Sequence, residues 1–550
     1  MNIRSLLKRI FKFGTHSDQF SIDNPSFQRP PFKESQSERE LCKSLKDNRH
    51  LLEEIFDLPT NMDVIIRDFK IPVLDLDAIL IYIDGMTDRN TQNFAVLQPL
   101  MLLSPKELST KDPVEILYQR LIPENQITKN IKLNDIINGI LDGSSVLLVE
   151  NSAKALIIET KGWEHRNVEK PANEHVVRGP QESFTETFRT NTASVRRYLK
   201  DPKLITEIFR VGCRSRTIVG IMYIKDIVNP KLLDEVRYRI QTVANSTDYI
   251  SETGALEELL EDHPRSLIPQ MLSTERPDRL AAHIREGYVG VVMQNSPYSL
   301  VIPTTFAIFL HAAEDYYIRW PFGNFLRLIR SASIFIALFL PAFYIAVVNY
   351  HQEMIPTDLL LAMTASRETV PFPAIVEILF MEFSFELIRE AGIRIPGVIG
   401  PTIGIVGALI LGQAAVSASI VSPILIIVVA ITALGSFVVP NYNASFTIRL
   451  LRFAFTLLGS ILGFYGIAWG IFIMALHTAT LMSFGVPFLS PITPYRAKSG
   501  DRIIRPQAFE QRFRPWFLRP LDLIRQKSNP RPWDRPHPNS GQEGDSQNEY

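Results

Sequence analysis

The hydrophobic and polar positions divide the 550-residue chain into three unlike stretches. Up to about residue 320 apolar residues are periodic and interleaved with charge. From 331 to 495 they are almost continuous, and after 496 they thin out among Pro and Arg. Leu41, Leu45, Leu51, Leu52, Ile55 and Phe56 fit a helix that Pro59 ends. Residues 63–71 and 76–86 alternate and are β-branched, which predicts strands. Short helices are expected over 113–121 and 133–141. Two apolar runs, 145–150 and 153–160, meet at Asn151-Ser152 as a hairpin.

A second mixed unit follows a polar stretch at 164–178. It reads as helices over 185–200, 230–243 and 279–287 and a strand over 217–228, with a hairpin closing around Asn295-Ser296-Pro297. The fold class is therefore an α/β soluble N-terminal region of two small lobes, then an all-α multi-pass membrane domain. Its expected boundaries are a disordered or amphipathic lead-in over 1–45, lobe one at 46–165, a linker at 166–183 and lobe two at 184–320. The transmembrane domain spans 325–495, and a basic, Pro-rich disordered tail covers 496–550.

Three runs without Asp, Glu, Lys or Arg dictate the membrane reading: 331–352, 395–448 and 453–495. A helix crosses a bilayer in about 20 apolar residues. These runs, with the charged segment 371–395, allow four to six spans. Residues 496–535 carry eleven Lys or Arg against four Asp or Glu, and Arg327 and Arg330 precede the first span. Both ends are thus expected on the cytoplasmic side, which requires an even number of crossings. Either 371–395 does not cross, or one long run is split.

Composition narrows the function. Net charge is zero, against a nucleic-acid binder. Cys42 and Cys213 have no CxxC spacing, so neither a disulfide framework nor a metal site is expected. There is no GxxxxGK[ST], HExxH or GxSxG, and no catalytic residue or cofactor is assigned. Candidate chemistry lies in 371–395, where Glu377, Glu382, Glu386 and Glu390 interrupt Phe and Ile. Carboxylates at membrane depth line a pore or gate; alternatively Glu386 and Glu390 pair with Arg389, Arg394, Arg449 or Arg452 to hold helices together, or the segment lies in the interface as an amphipathic helix. Gly459, Gly463, Gly466 and Gly470 form a stripe for close helix packing, with Arg452 and His477 extending it. Arg178, Gly179 and Pro180 join the lobes as a candidate hinge.

Several ordered motifs resemble the A-subunits of GerA-type spore germinant receptors: Val177-Arg178-Gly179-Pro180-Gln181-Glu182-Ser183-Phe184, Glu314-Asp315-Tyr316-Tyr317, Leu387-Ile388-Arg389-Glu390-Ala391-Gly392, Val439-Pro440-Asn441-Tyr442 and Ser483-Phe484-Gly485-Val486-Pro487. The resemblance covers about 45–495. It implies a subunit of the spore inner membrane, with its soluble part on the core side. Its partners would be a transporter-like, nutrient-binding B-subunit and a lipoprotein C-subunit. Copies would assemble as a homo-oligomer within membrane lipid into a ligand-gated cation channel, with no enzymatic site. A SpoVA-group paralogue, a secondary transporter and a membrane-anchored scaffold are the alternatives.

Overall fold

The computed structural model describes residues 39–102, 113–162, 171, 174, 176–394, 407, 410–493, 501 and 504–526. The expected N-terminal amphipathic segment, the start of the uncharged run 395–448 and the end of the tail lie outside them.

Helix α1 (Leu45–Phe56) starts at Ser44, whose side chain accepts from the Asp47 amide, and ends on Asp57 in the left-handed region. It packs on a five-stranded antiparallel sheet, order β1-β2-β4-β5-β3, made of Val64–Ile71, Leu76–Ile83, Ile127–Asn130, Ser145–Val149 and Ala155–Ile158 in chain order. Helix α2 (Leu133–Leu141) lies between β3 and β4. Helix α3 (Phe188–Tyr198) then leads into a second sheet of order β6-β7-β9-β10-β8. Those strands are Leu204–Val211, Thr217–Ile224, Leu272–Thr274, Val289–Met293 and Ser299–Ile302. Around them lie α4 (Pro230–Ser246), α5 (Thr253–Leu260) and α6 (Pro277–Arg285).

The two sheets have the same topology. Each opens with a helix and a long hairpin, and each closes with a helix and a second hairpin. The turns repeat as well: Gly143 and Gly287 end α2 and α6 at φ 88° and 99°, and Asn151 and Asn295 turn the closing hairpins at φ 65° each. Positive φ explains why Gly and Asn recur there. Strands β9 and β10 are buried on both faces, so the apolar hairpin at 289–302 is core and not a span.

The lobes are locked together. Asp63, fully buried, receives Arg189 Nη1 at 2.8 Å and Arg196 Nε at 3.0 Å, both from α3. Arg196 also donates to Asn61 Oδ1 at 2.9 Å and Leu204 O at 3.0 Å. Ala193 of α3 belongs to the core of the first lobe.

The apolar part begins with α7 (Trp320–Tyr350), eleven residues before the expected first span. It continues through α8 (Thr357–Arg367), α9 (Ala374–Arg394) and α10 (Pro423–Phe437) to α11 (Tyr442–Thr480). Among the described residues, α7 and α11 are long and apolar enough to cross a membrane, and α10 is a shorter apolar helix.

Helix α11 is the long run that is split, and it carries the expected glycine stripe on two arms rather than one. Gly463 has φ 59° and ψ −142°, a conformation closed to residues with a Cβ, and the helix breaks there. The second arm folds back on the first. Gly466 meets the Leu458 carbonyl, and a Cβ on Gly470 would stand 2.6 Å from the Phe455 ring. Both open ends reach one loop of the second lobe: Thr447 Oγ1 donates to Leu267 O, and His477 Nε2 is 3.0 Å from Ser266 Oγ. At the tip, Tyr350 Oη lies 2.8 Å from the Ser460 and Ile461 carbonyls that the break frees. The stripe is thus divided. Gly459 faces α7, where a Cβ would be 2.8 Å from Ala342 O, while Gly466 and Gly470 serve the hairpin's own packing.

The disordered tail expected over 496–550 also needs correction, for residues 504–526. Leu518 is fully buried and Phe517 nearly so in the core of the second lobe. Leu521 N donates to Ile227 O at 2.9 Å, and Arg514 Nη1 pairs with Asp522 at 2.7 Å. Pro and Arg suggested a solvated chain, but Trp516, Phe517 and Leu518 provide enough apolar surface to dock.

Candidate functional site

The direction of each helix places the charges. Ala374 and Ile378 at the start of α9 pack with Ile345 and Val348 at the far end of α7. The end of α9 instead reaches the lobe-side ends of α10 and α11, where Arg389 Nη2 donates to Ser436 Oγ at 2.7 Å. One helix therefore carries its carboxylates from the far side toward the lobes.

Glu377 is buried near the far end. It accepts from the Ser422 amide at 3.0 Å and pairs with Arg367 of α8 at 3.3 Å. Glu382, 1% exposed, lies 3.4 Å from Arg452 Nε, and neither of its oxygens has a hydrogen-bond partner among the described residues. Glu386 is the hub, with Arg449 Nη1 at 3.0 Å, Arg452 Nη2 at 3.1 Å and Arg389 Nη1 at 3.4 Å. Glu390 is exposed and pairs along the helix with Arg394 at 2.6 Å. Glu382 and Glu386 thus meet in one network, Glu377 belongs to a second, and Glu390 stands apart.

An ion taken out of water costs several kcal/mol, and a low-dielectric pairing offsets that only with good geometry. Glu386 has that geometry. Glu382, against one guanidinium at 3.4 Å, does not. Arg449 and Arg452 bound the uncharged runs in the sequence, but their pairing with a residue more than 60 positions away is a product of the fold.

The lobes connect to this block through a buried joint. Asp315, fully buried, receives Arg327 Nε at 2.9 Å and Arg330 Nη1 at 3.1 Å from the first turns of α7. Arg327 also holds Asp501, with Nη2 to Oδ2 at 3.0 Å. Burial pushes Asp501 up, but His311 and the hydrogen bonds from Arg327 and Tyr316 hold it below the usual carboxylate range. Beyond the hairpin, Phe484 and Phe488 enter the core of the second lobe, and Ser483 Oγ donates to Gln270 O at 2.7 Å.

The expected hinge is pinned. Arg276 Nη2 donates to Pro180 O at 2.8 Å, and Gly179, at φ 128°, lies so close to Tyr317 that a Cβ would stand 2.5 Å from its ring. Arg178 is exposed. A cavity of about 360 Å³ opens beside this segment, between the second lobe and the tail, lined in part by Arg279, His283, Tyr288 and Asp501. Burial, then the Arg279 charge, pushes His283 down to about 4.

A two-lobed α/β head clamped to an apolar helical block, with arginines and glutamates paired inside it, is the architecture of a membrane-associated protein. The chain belongs to the Bacillus/Clostridium GerA spore germination protein family, whose model matches residues 50–517. It is 36% identical over 501 residues to spore germination protein KA of Bacillus subtilis (strain 168), covering 91% of each chain. It is 38% identical over 475 residues to spore germination protein GerLA of Bacillus cereus, covering 86% of this chain and 96% of that one. It also matches the crystal structure of the N-terminal domain of the A subunit of the Bacillus megaterium spore germinant receptor GerK3 at 29% identity and TM-score 0.38. That match covers 49% of this chain and 98% of that one.

Proposed function

We propose that this chain is the A-subunit of a nutrient germinant receptor and forms, with further copies of itself, a ligand-gated cation channel in the spore inner membrane. The observation that carries the reading is the Glu382–Glu386 network inside the apolar block, tied by Asp315, Arg327 and Arg330 to a rigid soluble head. Each carboxylate of the network faces an arginine from another helix, so neither carboxylate is free to attract a cation in this conformation. Opening withdraws Arg449 and Arg452 and frees carboxylates to attract cations.

The helix directions support six crossings. Helix α7 leads away from the lobes and α9 returns. Arg394 ends α9 on the lobe side and Val421 precedes α10 on the far side, α10 returns, and the two arms of α11 supply the last two. This even number puts both ends on the lobe side, which the arginine excess assigns to the spore core. A transporter-like B-subunit that recognises the nutrient and a lipoprotein C-subunit complete the receptor. The fixed head then passes the B-subunit's signal to α7 and α11.

Spores carrying Glu386→Gln with Arg449→Gln, which removes both members of one pair, test the proposal. Nutrient-triggered release of monovalent cations should change at least severalfold, with the protein retained in the membrane fraction. Unchanged release would remove this face from the ion path.

A further inference from the structure

Between the lobe-side end of α9 and the first arm of α11 lies a cavity of about 270 Å³, lined by Phe383, Glu386, Arg389, Tyr442, Arg449 and Phe453. Its surroundings are apolar and open: Phe383, Leu387, Tyr442, Phe446 and Leu450 are exposed. Its floor is charged. Arg389 and Arg449 line it with Glu386 and Glu390; Arg394 offsets Glu390 outside it, and behind it Arg452 pairs with Glu386 and the buried Glu382, so the whole network carries an excess of one positive charge. Glu386 already accepts from three guanidinium groups, and Glu390 is matched by Arg394.

The cations are held in place. Arg389 lies over Phe437 with its guanidinium carbon 4.3 Å from the ring centre, and Arg449 over Phe446 at 4.7 Å. Their side chains are 9% and 10% exposed. Arg389 Nε is buried with no hydrogen-bond partner among the described residues. The depth is also defined. Thr447 touches the lobe loop at Leu267, and Arg449 lies two residues further along the helix, about 3 Å deeper.

We propose that this cavity binds the phosphate headgroup of an anionic phospholipid from the lobe-side leaflet, with its acyl chains along Phe383, Leu387 and Leu450; this rests on the membrane reading above. A fixed, under-compensated pair of guanidinium groups at headgroup depth, walled by aromatic and aliphatic side chains, matches a phosphate carried on hydrocarbon. A zwitterionic lipid brings its own cation and leaves the excess charge in place.

The full chain purified in detergent provides the test, by native mass spectrometry with phosphatidylglycerol, phosphatidylcholine or inorganic phosphate. Wild type should retain one phosphatidylglycerol per chain, at least tenfold over phosphatidylcholine. Arg449→Gln should lose most of that preference, and Arg449→Lys, which keeps the charge, should retain an intermediate part. Equal retention of the two lipids by wild type, or full retention by Arg449→Gln, overturns the proposal. So does displacement of the lipid by millimolar inorganic phosphate, or a disulfide joining Phe446→Cys in two copies, which would seat a second chain in the cavity. Recovery of the chain outside the membrane fraction would instead defeat the membrane reading itself.

Discussion

Gly463→Ala tests the folded-back shape of α11. At φ 59° and ψ −142° only glycine is at ease, and forcing another residue there costs about 1–3 kcal/mol. A new methyl would also come within 3.2 Å of His351 Nε2 and the Tyr350 ring. That penalty alone shifts the balance between hairpin and straight helix by about 5- to 150-fold. Straightened, 39 residues reach about 58 Å, nearly twice the hydrocarbon thickness. The assay is thiol labelling from one side of the membrane. With Cys42 and Cys213, both exposed, changed to Ser, single cysteines are placed at Ser460 near the tip and at Thr480 at the end of the second arm. In the Gly463 background the two should label from opposite faces, with Thr480→Cys on the lobe side. Gly463→Ala should move part of the Thr480→Cys population to the far face, or reduce the protein in the membrane. Labelling of both cysteines from the same face in the Gly463 background refutes the hairpin.

Other outcomes follow from the soluble head. Asp63→Ala leaves the buried Arg196 without its counter-ion, and a broken buried pair costs about 3–5 kcal/mol; thermal unfolding of the full chain in detergent should show the first transition lowered. Leu518→Ala should cost about 2–5 kcal/mol in the same measurement, because the side chain is fully buried; no change would mean that 504–526 does not hold the second lobe. His283, at about 4 in the folded head against an ordinary 6.5, takes up its proton only on unfolding over that interval. Stability is therefore full above pH 6.5 and declines as pH falls toward 4, and His283→Gln should flatten that part of the profile.

Much of the head was legible because its signals are local. The Asn151-Ser152 and Asn295-Ser296 turns, each between apolar runs, correctly predicted both closing hairpins. The same pairs sit at equivalent turns of the two sheets, a repeat that only the strand orders reveal. Strand β6 was missed because Glu207 and Arg210 break its alternation, although Leu204, Ile205 and Thr206 are buried; β8 is three residues long and carries no period. Asp63–Arg196 was not legible at all, since Asp63 merely precedes a strand and its partner lies on the other lobe.

In the apolar block, periodicity located the helices but not their turns. Glycines spaced by four, three and four residues satisfy a packing stripe, and nothing in that spacing distinguishes Gly463, with its positive φ, from the others. The length of the run held the only clue, being too long for one crossing. The carboxylates of α9 were visible as charges out of place. Whether they were free or paired depended on Arg449 and Arg452, which the fold delivers from another helix.

The role proposed for this chain is to conduct cations when its receptor is triggered. Its most direct measurement is ion flux through the complete receptor reconstituted in liposomes, with and without the nutrient. A nutrient-dependent conductance selective for monovalent cations, altered severalfold by Glu386→Gln with Arg449→Gln, is expected. A reconstituted complex that binds nutrient yet passes no ions, or passes anions in preference, contradicts it.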